Sequence, residues 1–128
     1  MNYLLDTHVF LWLDAEPEKL SKRVAEIIEE KSNSLYLSLA SIWEMQIKVQ
    51  LGKLTLNSSL EEVITSNQAD NRVQLLSITL EHILTLNELA DHHRDPFDRL
   101  LIAQAKAEKL ILITNDAKLG EYAIQQIW

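Results

Sequence analysis

The sequence predicts an α/β protein, a three-layer α/β/α sandwich with a mostly parallel central sheet of about four to five strands. Short apolar runs suited to buried strands alternate along the chain with longer segments whose apolar residues recur at helical spacing. This alternation is typical of parallel sheets that are covered by helices on both faces. A chain of 128 residues needs only one domain, residues 1–128, to bury such a core.

The N-terminal third supplies one strand and two helices. The run 1–5 is too short and too apolar for an amphipathic helix, so we expect a buried strand that stops at Asp6. A short helix is expected over residues 9–13, before Pro17. The apolar residues in 20–28 then recur every three or four positions, which predicts an amphipathic surface helix.

The middle of the chain continues the alternation. A turn-like Ser-Asn-Ser stretch precedes the second expected strand, residues 35–39. A helix from Ser41 to about Leu51 follows, and Gly52 suits its C-terminal end. Residues 60–69 are expected to form another helix.

The C-terminal half adds the remaining strands, of which residues 110–114 give the clearest buried run. Its expected elements are, in order, a strand at 73–78, a helix from Leu80 to about His92 that buries Ile83, Leu84 and Leu86, a helix from Asp95 to about Lys109, the strand 110–114, a short helix around 117–122, and a possible edge strand at 126–128.

Composition narrows the function classes. The net charge of −7 argues against a protein that adheres non-specifically to nucleic acid, although bound metal ions can supply local positive charge. The absence of cysteine excludes disulfides and thiolate metal sites, so any metal should have oxygen or imidazole ligands. No apolar run approaches the ~20 residues of a membrane span, and the N-terminus lacks a basic leader, so we expect no membrane association and a cytoplasmic protein.

Four carboxylates occupy equivalent positions at the ends of expected elements. Asp6 ends the first strand, Glu44 and Asp98 lie in the first turns of helices, and Asp116 follows the fourth strand. The carboxyl ends of parallel strands meet at one edge of a sheet, where crowded acids repel one another unless a cation lies between them. Mg²⁺ or Mn²⁺ suits such oxygen ligands, and one or two such ions can activate water for phosphodiester cleavage.

Each acid also has a simpler interpretation as a helix cap. Ser41 and Glu44 have the spacing of a capping box, and Asp95 is a good N-cap that would place Asp98 at the third helical position. Asp6 favours the metal site, because an acid that interrupts a buried apolar run is costly without a partner.

Several neighbouring polar residues are candidates for supporting roles. Thr7, Thr114 and Asn115 flank the acids and have side chains that can hydrogen-bond a carboxylate, although helix caps or strand-end hydrogen bonds explain them equally well. His8 is more often structural than catalytic in such a setting. The candidates for phosphate contacts are Lys48, Arg94 and Arg99.

Four motifs in order resemble the PIN-domain family, and within it the VapC-type toxins of toxin–antitoxin pairs. They are Leu4-Leu5-Asp6-Thr7-His8, Ser41-Ile42-Trp43-Glu44 continuing through Lys48 to Leu51-Gly52-Lys53-Leu54, Asp95-Pro96-Phe97-Asp98-Arg99-Leu100-Leu101-Ile102-Ala103, and Thr114-Asn115-Asp116. Each motif alone is weak, but their order and spacing span essentially the whole chain.

The resemblance implies a compact α/β/α sandwich, Mg²⁺- or Mn²⁺-dependent endoribonuclease activity on RNA, a homodimer, and inhibition by a cognate antitoxin. By position, Asp6, Glu44, Asp98 and Asp116 are the metal-binding acids, with Thr7 and Thr114 as their neighbours. His8 stands where many members of the family have a small or amide residue.

Two other functions compete with this one. A receiver-like phosphoacceptor domain also gathers acids around Mg²⁺, but here the first strand ends in a single acid, and the next two expected strands end without an aspartate. A catalytically inactive PIN-like interaction module is the other alternative, although four intact acids favour an enzyme.

Overall fold

The computed structural model describes residues 1–90 and 95–128. Within them a parallel sheet has the strand order β3-β2-β1-β4-β5. The strands are β1 (Asn2–Leu5), β2 (Ser34–Ser38), β3 (Val73–Leu76), β4 (Ile111–Ile113) and β5 (Gln126–Ile127). The prediction of a parallel α/β fold is confirmed, and so is the short edge strand at the C-terminus.

Helices separate the strands and cover the sheet. They are α1 (Thr7–Ala15), α2 (Lys22–Glu29), α3 (Leu39–Gln50), α4 (Leu60–Asp70), α5 (Leu80–Thr85) and α6 (Pro96–Glu108), with short 3₁₀ turns at Pro17–Lys19, Leu86–Glu88 and Ala117–Glu121. No helix in the described part of the chain is long and apolar enough to cross a bilayer.

The central strand β1 joins two apolar clusters, one on each face of the sheet. Leu5 packs with Phe10, Leu37 and their neighbours on one face, whereas Leu4 packs with Leu101 and others on the opposite face. This follows from the alternation of side chains along a strand, and both leucines of β1 are fully buried. The sheet is therefore sandwiched between two helical layers.

The register of β1 and β4 fixes the edge at which polar residues collect. Leu5 is paired with Ile113, and the backbone N–H of Asp6 donates to the carbonyl of Ile113 at 3.0 Å. Asp6 and Thr114 therefore leave neighbouring strands side by side, at the carboxyl edge of the sheet, where α/β proteins bind ligands.

The start of α3 differs from the expected one. Ser38, the last residue of β2, is the N-cap, and its side chain accepts a hydrogen bond from the N–H of Ala40. The predicted capping box is therefore wrong, because Ser41 is the third residue of the helix and Glu44 the sixth. Glu44 lies beyond the first turn, so capping does not account for it.

The expected burial of the segment after β3 is also wrong in part. The α-helix ends at Thr85, and Ile83 and Leu84 are half exposed, at 50% and 54%. The residue this helix buries most completely is His82. The expected end near His92 lies outside the described residues.

Polar contacts account for that reversal. His82 Nδ1 accepts from the N–H of Thr79 at 3.1 Å, and His82 Nε2 lies 2.8 Å from Glu108 Oε1 on α6. The imidazole thus links the start of α5 to α6, so the apolar residues that follow face outwards. Apolar periodicity alone does not reveal such a partner.

Candidate metal-binding active site

Asp6 is the most enclosed acid of the site and has two functions in the fold. Its Oδ1 accepts from the N–H of Thr7 at 2.8 Å, so the carboxylate caps α1. Its Oδ2 accepts from the Thr114 hydroxyl at 2.8 Å, across 108 positions of sequence. Only 5% of the residue is exposed. Capping of α1 thus accounts for the hydrogen bond to Oδ1. The hydrogen bond to Oδ2 comes from Thr114, which follows the neighbouring strand β4.

Burial raises the pKa of Asp6 above its ordinary value, because removal from water disfavours the charged form. The hydrogen bonds from Thr114 and Thr7 and the charge of His8 lower the pKa, and the nearby charge of Asp116 raises it further. Burial is the largest of these effects. A cation beside Asp6 would offset the cost of its charge.

Asp116 approaches Asp6 through a shared hydroxyl. The N–H of Asp116 donates to Thr114 Oγ1 at 3.0 Å, while that same oxygen donates its proton to Asp6. Both acids line one cavity of about 200 Å³, together with His8, Asn115 and neighbouring apolar side chains. Asp116 also caps the following 3₁₀ turn through Oδ1, which leaves its second oxygen for other partners.

Glu44 is hydrogen-bonded to Thr7, which follows Asp6 and is the first residue of α1. Thr7 Oγ1 lies 3.0 Å from Glu44 Oε1 and 2.9 Å from the hydroxyl of Ser41. Because a carboxylate only accepts, the Thr7 proton goes to Glu44, and Ser41 is left to donate to Thr7. Glu44 and Ser41 are both buried. The spacing that resembled a capping box thus serves this buried contact instead.

Asp98 lies in the first turn of α6. Asp95 is the N-cap of that helix and accepts from the N–H groups of Phe97 and Asp98, as predicted. The ring of Phe97 packs edge-on against Trp43 of α3, at 5.2 Å between centroids. This contact holds the first turn of α6 beside the helix that carries Glu44.

The structure relates the four predicted acids to different degrees. Asp6 and Asp116 line one cavity, Glu44 is hydrogen-bonded to Thr7 beside Asp6, and Asp98 lies in the first turn of α6. Across residues 1–90 and 95–128, no three such side chains are already arranged around one point as a metal site requires. The donor set still fits Mg²⁺ or Mn²⁺, which use one or two carboxylates and retain several waters.

The predicted basic residues have other partners. Lys48 Nζ lies 3.0 Å from Glu44 Oε2, one helical turn away. The Arg99 guanidinium donates to the carbonyls of Ala90 and Leu86 and to the Tyr122 hydroxyl, so it supports the fold. Arg94 lies outside the described residues.

Comparison with known proteins identifies a family. The PIN domain family matches residues 3–125. The chain is 29% identical over 120 residues to Ribonuclease VapC22 of Mycobacterium tuberculosis (strain ATCC 25618 / H37Rv), a match that covers 93% of this chain and 90% of that protein.

Solved structures share the fold at low sequence identity. A chain of VapBC2 from Rickettsia felis, bound to a DNA fragment from its promoter, superposes with a TM-score of 0.76 at 17% identity, covering 99% of this chain and 98% of that one. A chain of VapBC-1 from nontypeable Haemophilus influenzae gives a TM-score of 0.69 at 20% identity, covering 99% and 97%.

Proposed function

Because the chain belongs to the PIN domain family, we propose that it is a metal-dependent endoribonuclease that acts as the toxin of a toxin–antitoxin pair. The observation that carries this proposal is the convergence of buried Asp6 and half-buried Asp116 on one cavity, with Thr114 hydrogen-bonded between them. The name Ribonuclease VapC22 on a relative with 29% identity supports the reaction class. The family match removes the receiver-like alternative.

The four acids share one task in this proposal. Asp6, Glu44, Asp98 and Asp116 hold a divalent cation, Mg²⁺ or Mn²⁺, by their oxygen atoms. When bound, that cation supplies positive charge to the phosphate and makes water more acidic. Asp6 is the anchor, because its backbone belongs to the sheet edge and both of its oxygens are held in place.

Neighbouring hydroxyls position these acids. Thr114 orients Asp6 and holds the backbone of Asp116, so one residue sets the relative placement of two carboxylates. Thr7 does the same for Glu44. Asn115 lines the cavity and is exposed, which suits a contact to the RNA backbone. Lys48 keeps a positive charge beside Glu44 and can turn towards a phosphate.

Two kinds of protein partner belong to the proposal. The first is a cognate antitoxin, in line with the VapBC titles of the structural neighbours. The second is another copy of this chain, since α5 exposes Leu80, Ile83 and Leu84 on one face.

We also propose that residues 1–128 form one PIN-like nuclease domain and that it acts on RNA in the cytoplasm.

Cleavage of a mixed RNA pool tests the activity. We expect the purified wild type to cut RNA with Mg²⁺ or Mn²⁺ and to lose this activity in EDTA. Asp6→Asn and Asp98→Asn should each abolish cleavage while leaving the circular dichroism spectrum unchanged. Asp70→Asn, at the exposed end of α4, is the matched control and should cleave like the wild type.

The result that would overturn the proposal is equally direct. Equal cleavage by wild type and Asp6→Asn would mean that the acids do not support the reaction. A wild type that neither cleaves RNA nor binds Mn²⁺ in calorimetry would assign the chain to the inactive interaction module.

A further inference from the structure

A second cavity opens beside the acidic one. It measures about 280 Å³ and lies between α1, α3 and the loop formed by residues 53–57. His8 and Trp12 line both this cavity and the one that contains Asp6, so the two spaces adjoin across one helical turn of α1. We call it the α1–loop cavity. A ligand that fills it would lie next to the cavity that contains Asp6.

One wall of the α1–loop cavity is aromatic and apolar. Leu11, Trp12, Met45 and Leu54 contribute to it. The ring of Trp128 contacts the Trp12 ring edge-on, at 5.6 Å between centroids. A partly exposed indole is the kind of surface on which nucleobases of single-stranded nucleic acids stack.

Two lysines line the same cavity. Lys48 lies in the last turn of α3, and Lys53 lies just beyond it. Gly52 has a φ of +72°, and the N–H of Lys53 returns to the carbonyl of Lys48 at 2.8 Å. This Schellman ending fixes where Lys53 leaves the helix.

The two ammonium groups differ in their partners. Lys48 is paired with Glu44, whereas Lys53 forms no ion pair within residues 1–90 and 95–128. Two carboxylates, Asp14 and Glu16, also line the cavity. Asp14 accepts from the Asn67 amide at 3.0 Å, and Glu16 is paired with Lys19 at 2.7 Å. The ammonium group of Lys53 is therefore available to an anion such as a phosphate.

We propose that the α1–loop cavity binds one nucleotide of a single-stranded RNA, with its base against Trp12 and its phosphate at Lys53, next to the bond that is cut. The inference rests on the proposed ribonuclease function and names the subsite that would position the substrate. The cavity volume lies at the lower limit of small-ligand pockets, which are roughly 300 Å³ and larger, and this suits a single base rather than a folded element.

Binding without cleavage tests the subsite separately from the reaction. The probe is a fluorescently labelled pool of random 2′-O-methyl hexanucleotides in EDTA, followed by anisotropy over a range of salt concentrations. We expect Lys53→Gln to make the slope of log affinity against log salt less steep by about 0.7, the value for one lost phosphate contact on a single strand. Lys22→Gln, an exposed lysine on α2, should leave the slope unchanged.

Replacement of the aromatic wall provides the second arm. Trp12→Leu should weaken binding by about tenfold, as expected for the loss of one stacked base. Trp12→Phe should restore most of the affinity, because it keeps an aromatic face. Thermal melting of each variant shows whether the fold is intact. If Trp12 had only a structural role, Trp12→Leu and Trp12→Phe would bind equally well whenever their melting temperatures are equal.

The outcomes separate this inference from the proposed function. Equal salt slopes for Lys53→Gln and Lys22→Gln, with no loss in Trp12→Leu, would overturn the subsite even if the wild type cleaves RNA. Oligonucleotide binding that depends on Lys53 and Trp12 would support it even if cleavage is absent. Loss of binding to a co-expressed antitoxin in these variants, with oligonucleotide binding intact, would overturn it and assign the cavity to that protein.

Discussion

Thr114 is the residue that connects two of the candidate acids by hydrogen bonds. Its single hydroxyl donates to Asp6 Oδ2 and accepts from the N–H of Asp116, and the residue is 5% exposed. The hydrogen bonds of the hydroxyl fix the direction of its one proton, because the carboxylate can only accept. Thr114 is therefore a positioning residue that couples two acids.

Thr114→Val should weaken metal-dependent cleavage by about 10–100-fold, since partners that orient metal-binding carboxylates have effects of this size. The two side chains have nearly the same shape, so the loss should come from the hydroxyl. Mn²⁺ affinity measured by calorimetry should fall in parallel with the rate. Thr114→Ser restores the hydroxyl and should recover both, and a variant Thr114→Val with unchanged Mn²⁺ affinity would contradict this role.

Asp6 gives the protein a pH dependence whose sign follows from its raised pKa. A carboxyl group with a higher pKa in the folded state favours folding when it is protonated, and this contribution is lost as the pH rises through the folded-state pKa. In EDTA, Asp6→Asn should therefore melt at a higher temperature than the wild type near neutral pH. The difference should shrink as the pH falls through the raised pKa of Asp6, because the wild-type carboxyl then becomes neutral.

Thermal melting by circular dichroism over this pH range measures the effect. The asparagine can keep both contacts, because its Oδ1 can accept from Thr7 and its amide can donate to Thr114. Asp70→Asn, at an exposed position, should show no such trend. A melting difference that grows as the pH falls would mean that burial does not dominate at Asp6.

At the residue scale, the sequence predicts that Asp6 and Asp116 share an edge of the sheet, but not every contact made there. Both residues line one cavity in the structure, because strand ends in a parallel sheet share an edge. The contact of Ser41 with Thr7 was missed, because the spacing from Ser41 to Glu44 also fits a capping box. A local pattern does not reveal which residue begins a helix when two serines lie three positions apart.

At the scale of elements, the end of α3 shows how a helix terminus can position a functional side chain. The N–H of Gly52 returns to Val49 and that of Lys53 to Lys48, which satisfies the last carbonyls of the helix. Gly52 makes this possible by its positive φ. The prediction that the helix ends at Gly52 is confirmed, and the turn at this glycine sets the position of Lys53.

Gly52→Ala should lower the free energy of unfolding by about 1–2 kcal/mol, the cost of a left-handed conformation for a residue with a Cβ. No atom lies within 4 Å of the added methyl group, so the cost is conformational rather than steric. Urea denaturation measures it. Gly120→Ala is the matched control, with equally open space but no positive φ, and should change stability little. Equal effects of the two substitutions would contradict the argument.

Elements whose burial depends on polar partners were the ones that sequence predicted poorly. The apolar face of α5 was expected inside, but His82 occupies that place through Thr79, Gln104 and Glu108. These partners lie on α6 or at the start of α5, and the spacing of apolar residues does not predict them. Elements with a continuous apolar run, such as β1 and β4, were predicted well because their burial needs no specific partner.

At the scale of the whole molecule, the topology explains why acids distant in sequence share one edge. The order β3-β2-β1-β4-β5 puts the first strand at the centre with the fourth beside it, and all five strands run parallel. Their carboxyl ends therefore carry Asp6 and Thr114 next to each other. The opposite ends of these strands carry no predicted site residue.

The outer surface leads to the last prediction, which concerns assembly. Leu80, Ile83 and Leu84 follow i, i+3, i+4 spacing on α5 and are 70%, 50% and 54% exposed. Such a face is costly in water and marks an interaction surface.

We expect a homodimer in sedimentation velocity that becomes a monomer in the double variant Ile83→Glu/Leu84→Glu. Leu51→Glu, also at an exposed leucine, should remain dimeric. A wild type that sediments as a monomer would leave the antitoxin as the partner for this face, and RNA cleavage by the monomeric variant would show that the site is complete within one chain.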